Sequence, residues 1–300
     1  MNLKISHFIF SLLFITSLYA QSTPDSFPYP TLPTELRTPT ERAHYLVHHY
    51  WDHFDFSDSI FKYKPSYVEQ AWVDFLDLLP LVSLKDAQNS IKRTFQQTEI
   101  NEAALKHFMK LAEKYLYNLD SPLKNEEYYL AALEVIINSP TLSKIDKIKP
   151  QQQWSIIQKN QFNTTATDIF YQTAKDSIGT LHQIESPYIL LFIHDFDCHT
   201  CLEELNKIRN SSFLQQLIED KELTILTLYP YEQIEEWKSK QELYDSQWIN
   251  GYDSKQEIIE KELYALRSSS ALYLLDNNKK VLLKDCSLVE VENNLKQANE

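Results

Sequence analysis

Two cysteines separated by two residues form the most reactive motif of the sequence. Cys198 and Cys201 follow the continuous apolar run 188–193, which is typical of a strand covered on both faces. The apolar residues after the motif recur with helical spacing, so the motif is predicted to open a helix. Unpaired backbone N–H groups at a helix start stabilise a thiolate. The context predicts a redox pair, with the more exposed Cys198 as nucleophile and Cys201 as the thiol that resolves a mixed disulfide.

Three neighbouring side chains are predicted to tune this pair. His199 favours the Cys198 thiolate when its ring is protonated, whereas the carboxylates of Asp195 and Asp197 oppose the thiolate, each by up to about 1 kcal/mol in a solvent-like medium. The helix terminus favours the thiolate by roughly 0.3–2 kcal/mol, so the opposing effects are of similar size. The sequence therefore leaves the direction of electron transfer open.

The same motif permits two other interpretations. A structural disulfide between Cys198 and Cys201 would span one helical turn. Alternatively, the two cysteines with His194 and His199 have the ligand softness that Cu(I) or zinc requires, which would make the chain a metal carrier. His194 ends the predicted strand and is interpreted as a structural hydrogen-bonding residue.

Histidines in the N-terminal half offer a second candidate chemistry. His44, His48, His49 and His53 fall on one predicted helix. A spacing of four places His44 with His48, and His49 with His53, on shared faces that can hold a metal. The same helix carries an apolar core stripe, so solvated or capping roles are the more ordinary interpretation. The sequence prediction contains no metal ion and no cofactor.

The remaining polar candidates receive structural interpretations. Cys286 follows the predicted closing hairpin and is interpreted as a quiet, half-buried thiol. The carboxylates Asp55, Asp58, Glu126 and Glu127 occur in pairs, but their spacing gives no reason to assign acid–base work.

Composition excludes several classes of function. The formal net charge of −13 disfavours binding to nucleic acid or to anionic membranes. Two glycines provide no Gly-rich phosphate loop, which disfavours nucleotide-dependent chemistry. Three cysteines are too few to build a disulfide scaffold for a chain of this length.

The N-terminus predicts export. Lys4, an apolar run to Leu18 and the small residue Ala20 are typical of a secretory signal peptide over residues 1–20. The residue directly after the predicted cleavage site is not a cysteine, so a lipoprotein is not expected. No later run is apolar for long enough to span a membrane. Removing Lys4 with this segment changes the net charge to −14. The expected location is the periplasm.

The rest of the chain divides by its periodicity. Residues 21–37 form a Pro-rich leader, and residues 38–160 show only helical spacing, beginning with a capping box of Thr38 and Glu41. Residues 161–300 are predicted to be an α/β sandwich with a central mixed sheet. Its predicted elements are a hairpin at 170–181, strands at 188–193 and 223–229, helices after the cysteines and at 231–240 and 254–265, a closing hairpin at 272–283 and a helix at 287–297.

Two resemblances cover almost all of the chain after residue 20. Residues 161–300 resemble the thioredoxin-like thiol–disulfide proteins of the bacterial envelope, the TlpA/ResA-like branch. The matching segments are 166–170 with the following hairpin, 188–201, 248–253 and 272–284. Residues 27–158 resemble the helical domain of unknown function that precedes such domains in Bacteroidota-type envelope proteins; the matching segments are 27–28, 45–47, 50–52, 55–58 and 139–140.

These resemblances imply a periplasmic thiol–disulfide oxidoreductase that follows an all-helical domain. Its partners would be other dithiol or disulfide proteins of the envelope, and it would use no cofactor beyond its own disulfide. The oligomeric state stays open. A degenerate thioredoxin fold that serves as a protein-binding scaffold is the alternative, beside the metal carrier.

One departure from the family falls at the loop that docks substrates. The family places a cis-proline opposite the cysteines, and Ser270 stands in that position here. A cis bond before a non-proline residue costs about 2.5–4 kcal/mol, so the Ser269–Ser270 peptide is expected to be trans. The loop is therefore expected to differ in how it pairs with a substrate and shields the thiols from metal.

Overall fold

The computed structural model describes residues 27–57, 65–268 and 270–298. The predicted signal peptide, Asp58 and Ser269 lie outside these ranges, as do the first residues of the Pro-rich leader. The chain forms two compact units, Met1–Ser90 and Ile91–Glu300.

The first unit is helical over its described residues. Its elements are α1 (Pro39–His49), α2 (Pro65–Leu78), a 3₁₀ turn (Leu79–Leu81) and the start of α3 (Leu84–Thr98), which continues into the second unit. The predicted capping box opens α1: Thr38 Oγ1 accepts from Glu41 N at 3.2 Å, and the Glu41 carboxylate accepts from Thr38 N at 2.9 Å. The predicted helix start is confirmed.

Helix α1 ends at His49, earlier than the sequence predicts. The rings that follow α1 pack around Phe27, whose ring centroid lies 5.3 Å from Trp51 and 5.8 Å from Phe54. His53 lies in this turn. The prediction that His49 and His53 share a helix face is therefore wrong.

The second unit begins with further helices. They are the rest of α3, α4 (Glu102–Ala112), α5 (Glu126–Asn138) and α6 (Ile148–Ile157); α4 is extended by a wider π-helical turn at Glu113–Tyr117. The prediction of an all-helical segment before residue 160 is confirmed. Helices α4 to α6 belong to the same compact unit as the sheet, and the predicted domain boundary near residue 160 stays a prediction.

A seven-stranded mixed sheet forms the rest of this unit, in the order β2-β1-β5-β4-β3-β6-β7. The strands are β1 (Phe170–Thr173), β2 (Ile178–Thr180), β3 (Tyr188–His194), β4 (Leu223–Tyr229), β5 (Ile249–Tyr252), β6 (Ser270–Asp276) and β7 (Val281–Lys284). The helices are α7 (His199–Asn210), α8 (Ser212–Glu219), α9 (Ile234–Ser239), α10 (Glu257–Glu260) and α11 (Leu288–Ala298). The predicted α/β sandwich with a mixed sheet is confirmed.

Strand β3 is buried on both faces, as its apolar run predicts. Leu190 and Phe192 belong to the core on one side of the sheet, whereas Ile189, Leu191 and Ile193 belong to the core on the other side. Its neighbours are β4, which runs parallel, and β6, which runs antiparallel. The strand that leads to the cysteines is therefore paired on both edges and buried on both faces.

The sequence prediction missed β5 and α8 and made the helices around 231–240 and 254–265 too long. β5 contains Asn250 and Gly251, residue types that are uncommon in strands. Gly251 suits this close approach, because a Cβ atom would lie 3.0 Å from Cβ of Tyr171 on the adjacent β1. In the described part of the chain, no helix is both long and apolar enough to cross a bilayer.

Candidate redox site

The cysteine pair lies where β3 passes into α7. β3 ends at His194, three residues form a short loop, and Cys198 is the N-cap of α7 with φ −89° and ψ 120°. Its Sγ accepts a hydrogen bond from Cys201 N at 3.3 Å. The sulfur therefore occupies the position in which an N-cap side chain satisfies a free N–H group of the first turn, and this position favours a thiolate.

The two thiols differ in exposure. Cys198 is partly exposed, whereas Cys201 is fully buried, at 0% exposure. Burial, reinforced by a hydrogen bond with Cys198, raises the pKa of Cys201 to about 12. At neutral pH Cys201 is therefore a thiol. All three cysteines of the chain, Cys286 included, are free thiols in the structure.

The predicted tuning residues occupy the loop and the first turn of α7. The Asp195 carboxylate accepts a hydrogen bond from Asp197 N at 3.0 Å, which stabilises the loop before Cys198. The side chain of His199 is 84% exposed, with its Nδ1 3.7 Å from a carboxylate oxygen of Glu203. Thr200, which the sequence analysis did not single out, places its hydroxyl 3.2 Å from Cys198 Sγ. The thiol that faces solvent thus has a hydroxyl group beside it.

Ser270 reaches the cysteine pair from the neighbouring strand. It opens β6 and lies opposite His194 in the register of β3 and β6. The side chain of Ser270 forms a hydrogen bond with Cys201 that acts to lower the pKa of this thiol, against the larger effect of burial. Ser269 and the peptide that joins it to Ser270 lie outside the described residues.

His194, the last residue of β3, is buried among aromatic rings. It is 1% exposed and stacks on Phe192 with ring centroids 4.6 Å apart. Among the described residues neither ring nitrogen makes a hydrogen bond of good geometry, although the backbone of Asp195 acts to raise the pKa of the ring. The interpretation of His194 as a structural hydrogen-bonding residue therefore stays a prediction. Burial lowers its pKa to about 4, so the ring is neutral at pH 7.

An aromatic wall beside the cysteines was missed by the sequence analysis. Phe196 of the loop packs against Tyr229 with centroids 4.8 Å apart, and Tyr229 contacts Tyr231 at 5.6 Å. Burial raises the pKa of Tyr231, and the charge of Asp195 raises it further. Tyr231 and Cys198 both pack against the apolar cluster that contains Cys201. The signal in the sequence was the Tyr-Pro-Tyr run that ends β4.

A cavity of about 620 Å³ adjoins the first turn of α7. Thr200 and Ser270 line it on the side of the cysteines, and the segment from Tyr117 to Asp120, which follows α4, lines it on another side. Cys286 also lines this cavity; its thiol donates to the Leu272 carbonyl at 3.4 Å, and burial raises its pKa.

Potential metal ligands gather at one place in the described residues. His44, His48 and Asp86 form the group of three whose donor atoms lie within 4.8 Å of one another. The set of His194, His199 and the two cysteines does not form such a group.

Comparison with known proteins places the fold. Residues 13–160 match the family model described as "Domain of unknown function (DUF5106)". A crystal structure of a thioredoxin-like protein from Bacteroides caccae is 38% identical, and the match covers 92% of this chain and 99% of that one with a TM-score of 0.86. The chain belongs to the thioredoxin-like proteins. This match confirms the resemblance of residues 161–300, and the family model confirms the helical domain of unknown function before them.

Two further solved structures match a shorter part of this thioredoxin-like protein. The C-terminal domain of an uncharacterized protein from Bacteroides fragilis is 39% identical, over 46% of this chain and 98% of that one, with a TM-score of 0.45. The thioredoxin domain of a thiol–disulfide oxidoreductase from Bacteroides vulgatus is 20% identical, over 46% and 96%, with a TM-score of 0.41. Among curated proteins, none matches the chain.

Proposed function

We propose that the chain is a periplasmic thiol–disulfide oxidoreductase in which Cys198 is the nucleophile and Cys201 the resolving thiol. The observation that carries this proposal is the asymmetry of the pair: a partly exposed sulfur is the N-cap of α7, and a buried thiol lies one turn behind it. Thiolate formation is favoured at the first position and opposed at the second.

In the reducing direction, the Cys198 thiolate attacks one sulfur of a partner disulfide. A Cys198–partner disulfide forms, and the other partner sulfur leaves as a thiolate that takes up a proton. Cys201 then loses its proton and attacks Cys198, so that the partner leaves with two thiols and the chain retains the 198–201 disulfide. Another dithiol protein then reduces the 198–201 disulfide by the reverse sequence of steps. If the chain acts as an oxidant, the same steps run in the opposite direction.

The hydrogen-bond partners of Cys201 support its part in this exchange. The Ser270 hydroxyl and the backbone of Asp195 both lower the pKa of a thiol that burial raises. They stabilise the thiolate that must form before the mixed disulfide can be resolved. In this proposal Ser270 also lines the surface beside the cavity where a partner chain approaches Cys198.

The test is capture of partners by Cys201→Ser in periplasmic extracts. Without the resolving thiol, partners should remain attached as mixed disulfides that reductant releases. The matched control is Cys198→Ser, which should capture nothing, and Cys286→Ser added to Cys201→Ser should leave capture unchanged. At pH 7, mass mapping should show Cys198 alkylated much faster than Cys201.

If capture fails, the result favours the alternative function, a protein-binding scaffold. In that case Cys198 would react with alkylating agents, whereas Cys201→Ser would retain no partner through a disulfide. If capture succeeds, the reduction potential of the 198–201 pair gives the direction: a value near about −120 mV indicates an oxidant and one near about −270 mV a reductant. Recovery of the mature chain in the cytosolic fraction alone would refute the periplasmic location.

A further inference from the structure

Two histidines of α1 face one carboxylate of α3. His44 and His48 are one helical turn apart, with ring centroids 4.4 Å from each other. Asp86 lies in the first turn of α3. The sequence suggested the histidine pair, but it gave no sign of the third residue, which comes from a helix almost forty positions later.

The distances are close to those of a metal site. His44 Nε2 lies 3.7 Å from Asp86 Oδ2, and His48 Nε2 lies 4.0 Å from Asp86 Oδ1. Zinc bonds of about 2.0–2.2 Å in tetrahedral geometry place ligand atoms about 3.4 Å apart. All three donor atoms lie within 4.8 Å of one another, so their separations exceed those of a zinc site by about 1.4 Å or less.

The carboxylate is held in place by a neighbouring hydroxyl. Ser83 Oγ donates to Asp86 Oδ2 at 2.6 Å, and Ser83 Oγ also accepts a hydrogen bond from Asp86 N at 3.2 Å. The Ser83 hydrogen bond is the largest cause of a lowered Asp86 pKa, and the two histidines also lower it. Hydrogen bonds of this kind orient metal-binding carboxylates in known sites.

Glu41 and His49, the other acidic and histidine residues of α1, form hydrogen bonds or ion pairs with other partners. The Glu41 carboxylate accepts the N–H groups of Arg37 and Thr38 at the helix start. His49 Nδ1 lies 2.6 Å from Asp52 Oδ2. His44 and His48 are therefore the side chains of α1 that face Asp86 of α3.

The three residues leave room for a further ligand. The side chains of His44, His48 and Asp86 are 53%, 30% and 32% exposed. A shallow cavity along α1 is lined by both histidines together with Thr40 and Tyr45. Three protein ligands with an open position are typical of sites that keep a water molecule or take up an exogenous ligand.

We propose that His44, His48 and Asp86 bind a divalent transition-metal ion, with zinc as the ion to test. The ligands are Nε2 of both histidines and one carboxylate oxygen of Asp86. This site belongs to the first compact unit and lies within the domain of unknown function. It uses neither cysteine of the redox pair, and it stands independently of the proposed oxidoreductase function.

The experiment is a zinc titration of the full mature chain by calorimetry. Because thiols also bind zinc, the parent for this test carries Cys198→Ser, Cys201→Ser and Cys286→Ser. We expect one equivalent of zinc, and a loss of affinity of at least about 100-fold in His48→Ala or His44→Gln. His49→Ala, on the same helix, is the matched control and should bind as the parent does.

A spectroscopic measurement identifies the ligands directly. Electron paramagnetic resonance of bound Cu²⁺ should show coupling to two imidazole nitrogens in the parent and to one in His48→Ala. Circular dichroism checks that each variant is folded, and Asp86→Asn gives an independent variant. The proposal is overturned if the parent takes up no zinc, or if the His44 and His48 variants bind zinc as tightly as the parent.

Discussion

Glu126 is the shared acceptor of two buried cations in the second unit. Arg267 Nη2 lies 2.6 Å from Glu126 Oε1, and Lys284 Nζ lies 3.0 Å from Glu126 Oε2. The side chains of Arg267 and Lys284 are only 6% and 7% exposed. These contacts join α5 to the loop before β6 and to the end of β7. We expect Glu126→Gln, which keeps the shape and removes the charge, to be strongly destabilising.

The magnitude follows from what remains after the change. Breaking a buried ion pair from one side costs about 3–5 kcal/mol, because it leaves an uncompensated buried charge. Asp285 still pairs with Arg267, and the Glu126 side chain is 19% exposed, so we expect the lower end, about 3 kcal/mol. For a unit of this size, this loss lowers Tm by roughly 6–12 °C.

Thermal unfolding followed by circular dichroism measures the effect, and denaturant unfolding gives the free energy. Glu127→Gln is the matched control, since it removes the adjacent and more exposed carboxylate; we expect a change within about 0.5 kcal/mol. Equal Tm values for Glu126→Gln and Glu127→Gln would refute the reasoning, because they would show that the two cations are not held by Glu126.

Two further predictions concern residues beside the cysteines. The pKa of His194 is about 4 in the folded chain and about 6.5 when unfolded, so the unfolded chain binds the extra proton and stability falls by up to about 3 kcal/mol as pH decreases from 6.5 to 4. His194→Phe should remove this part of the pH dependence in denaturant unfolding; an unchanged pH profile would contradict it. Ser270→Ala should slow the resolution step, seen as a longer-lived Cys198 mixed disulfide in quenched samples, whereas unchanged lifetimes would show that the Ser270 hydroxyl does not stabilise the Cys201 thiolate.

Local patterns account for the parts of the fold that the sequence predicts correctly. The capping box at Thr38 and Glu41 is complete within four residues. The strand that leads to the cysteines is predictable because both of its faces are buried, which leaves a continuous apolar run. The start of α7 directly after its N-cap Cys198 is predictable from the apolar spacing that follows the motif.

Residues that meet only through the fold escaped the sequence analysis. Asp86 joins the histidines of α1 because α1 and α3 pack together, and no spacing in the sequence records this contact. Tyr231 packs against the apolar cluster of the cysteines because β4 lies beside β3. Glu126 appeared as half of an acidic pair without a role, and its role depends on Arg267, more than a hundred residues away.

His194 shows that a position can be predicted from the sequence while its environment cannot. A histidine at a strand end is ordinarily expected to find a hydrogen-bond partner, because unpaired buried nitrogens are costly. Here the side chain alternates to the same face as Phe192, where the ring stacks in the apolar core and remains neutral. Its position was predicted correctly from the strand, but its environment depends on Tyr244, whose ring lies 5.6 Å away.

The serine in the family's proline position changes the physical constraint on the redox pair. Proline would bring no hydroxyl group, whereas Ser270 forms a hydrogen bond with the buried Cys201. On the solvent side, Thr200 contacts Cys198, and the segment from Tyr117 to Asp120 lines the adjoining cavity. In the proposed function, a partner that reaches Cys198 through this cavity passes between the first turn of α7 and a segment supplied by the helices that precede the sheet. Partner selectivity should then depend on residues outside 161–300, which an isolated C-terminal domain would lack.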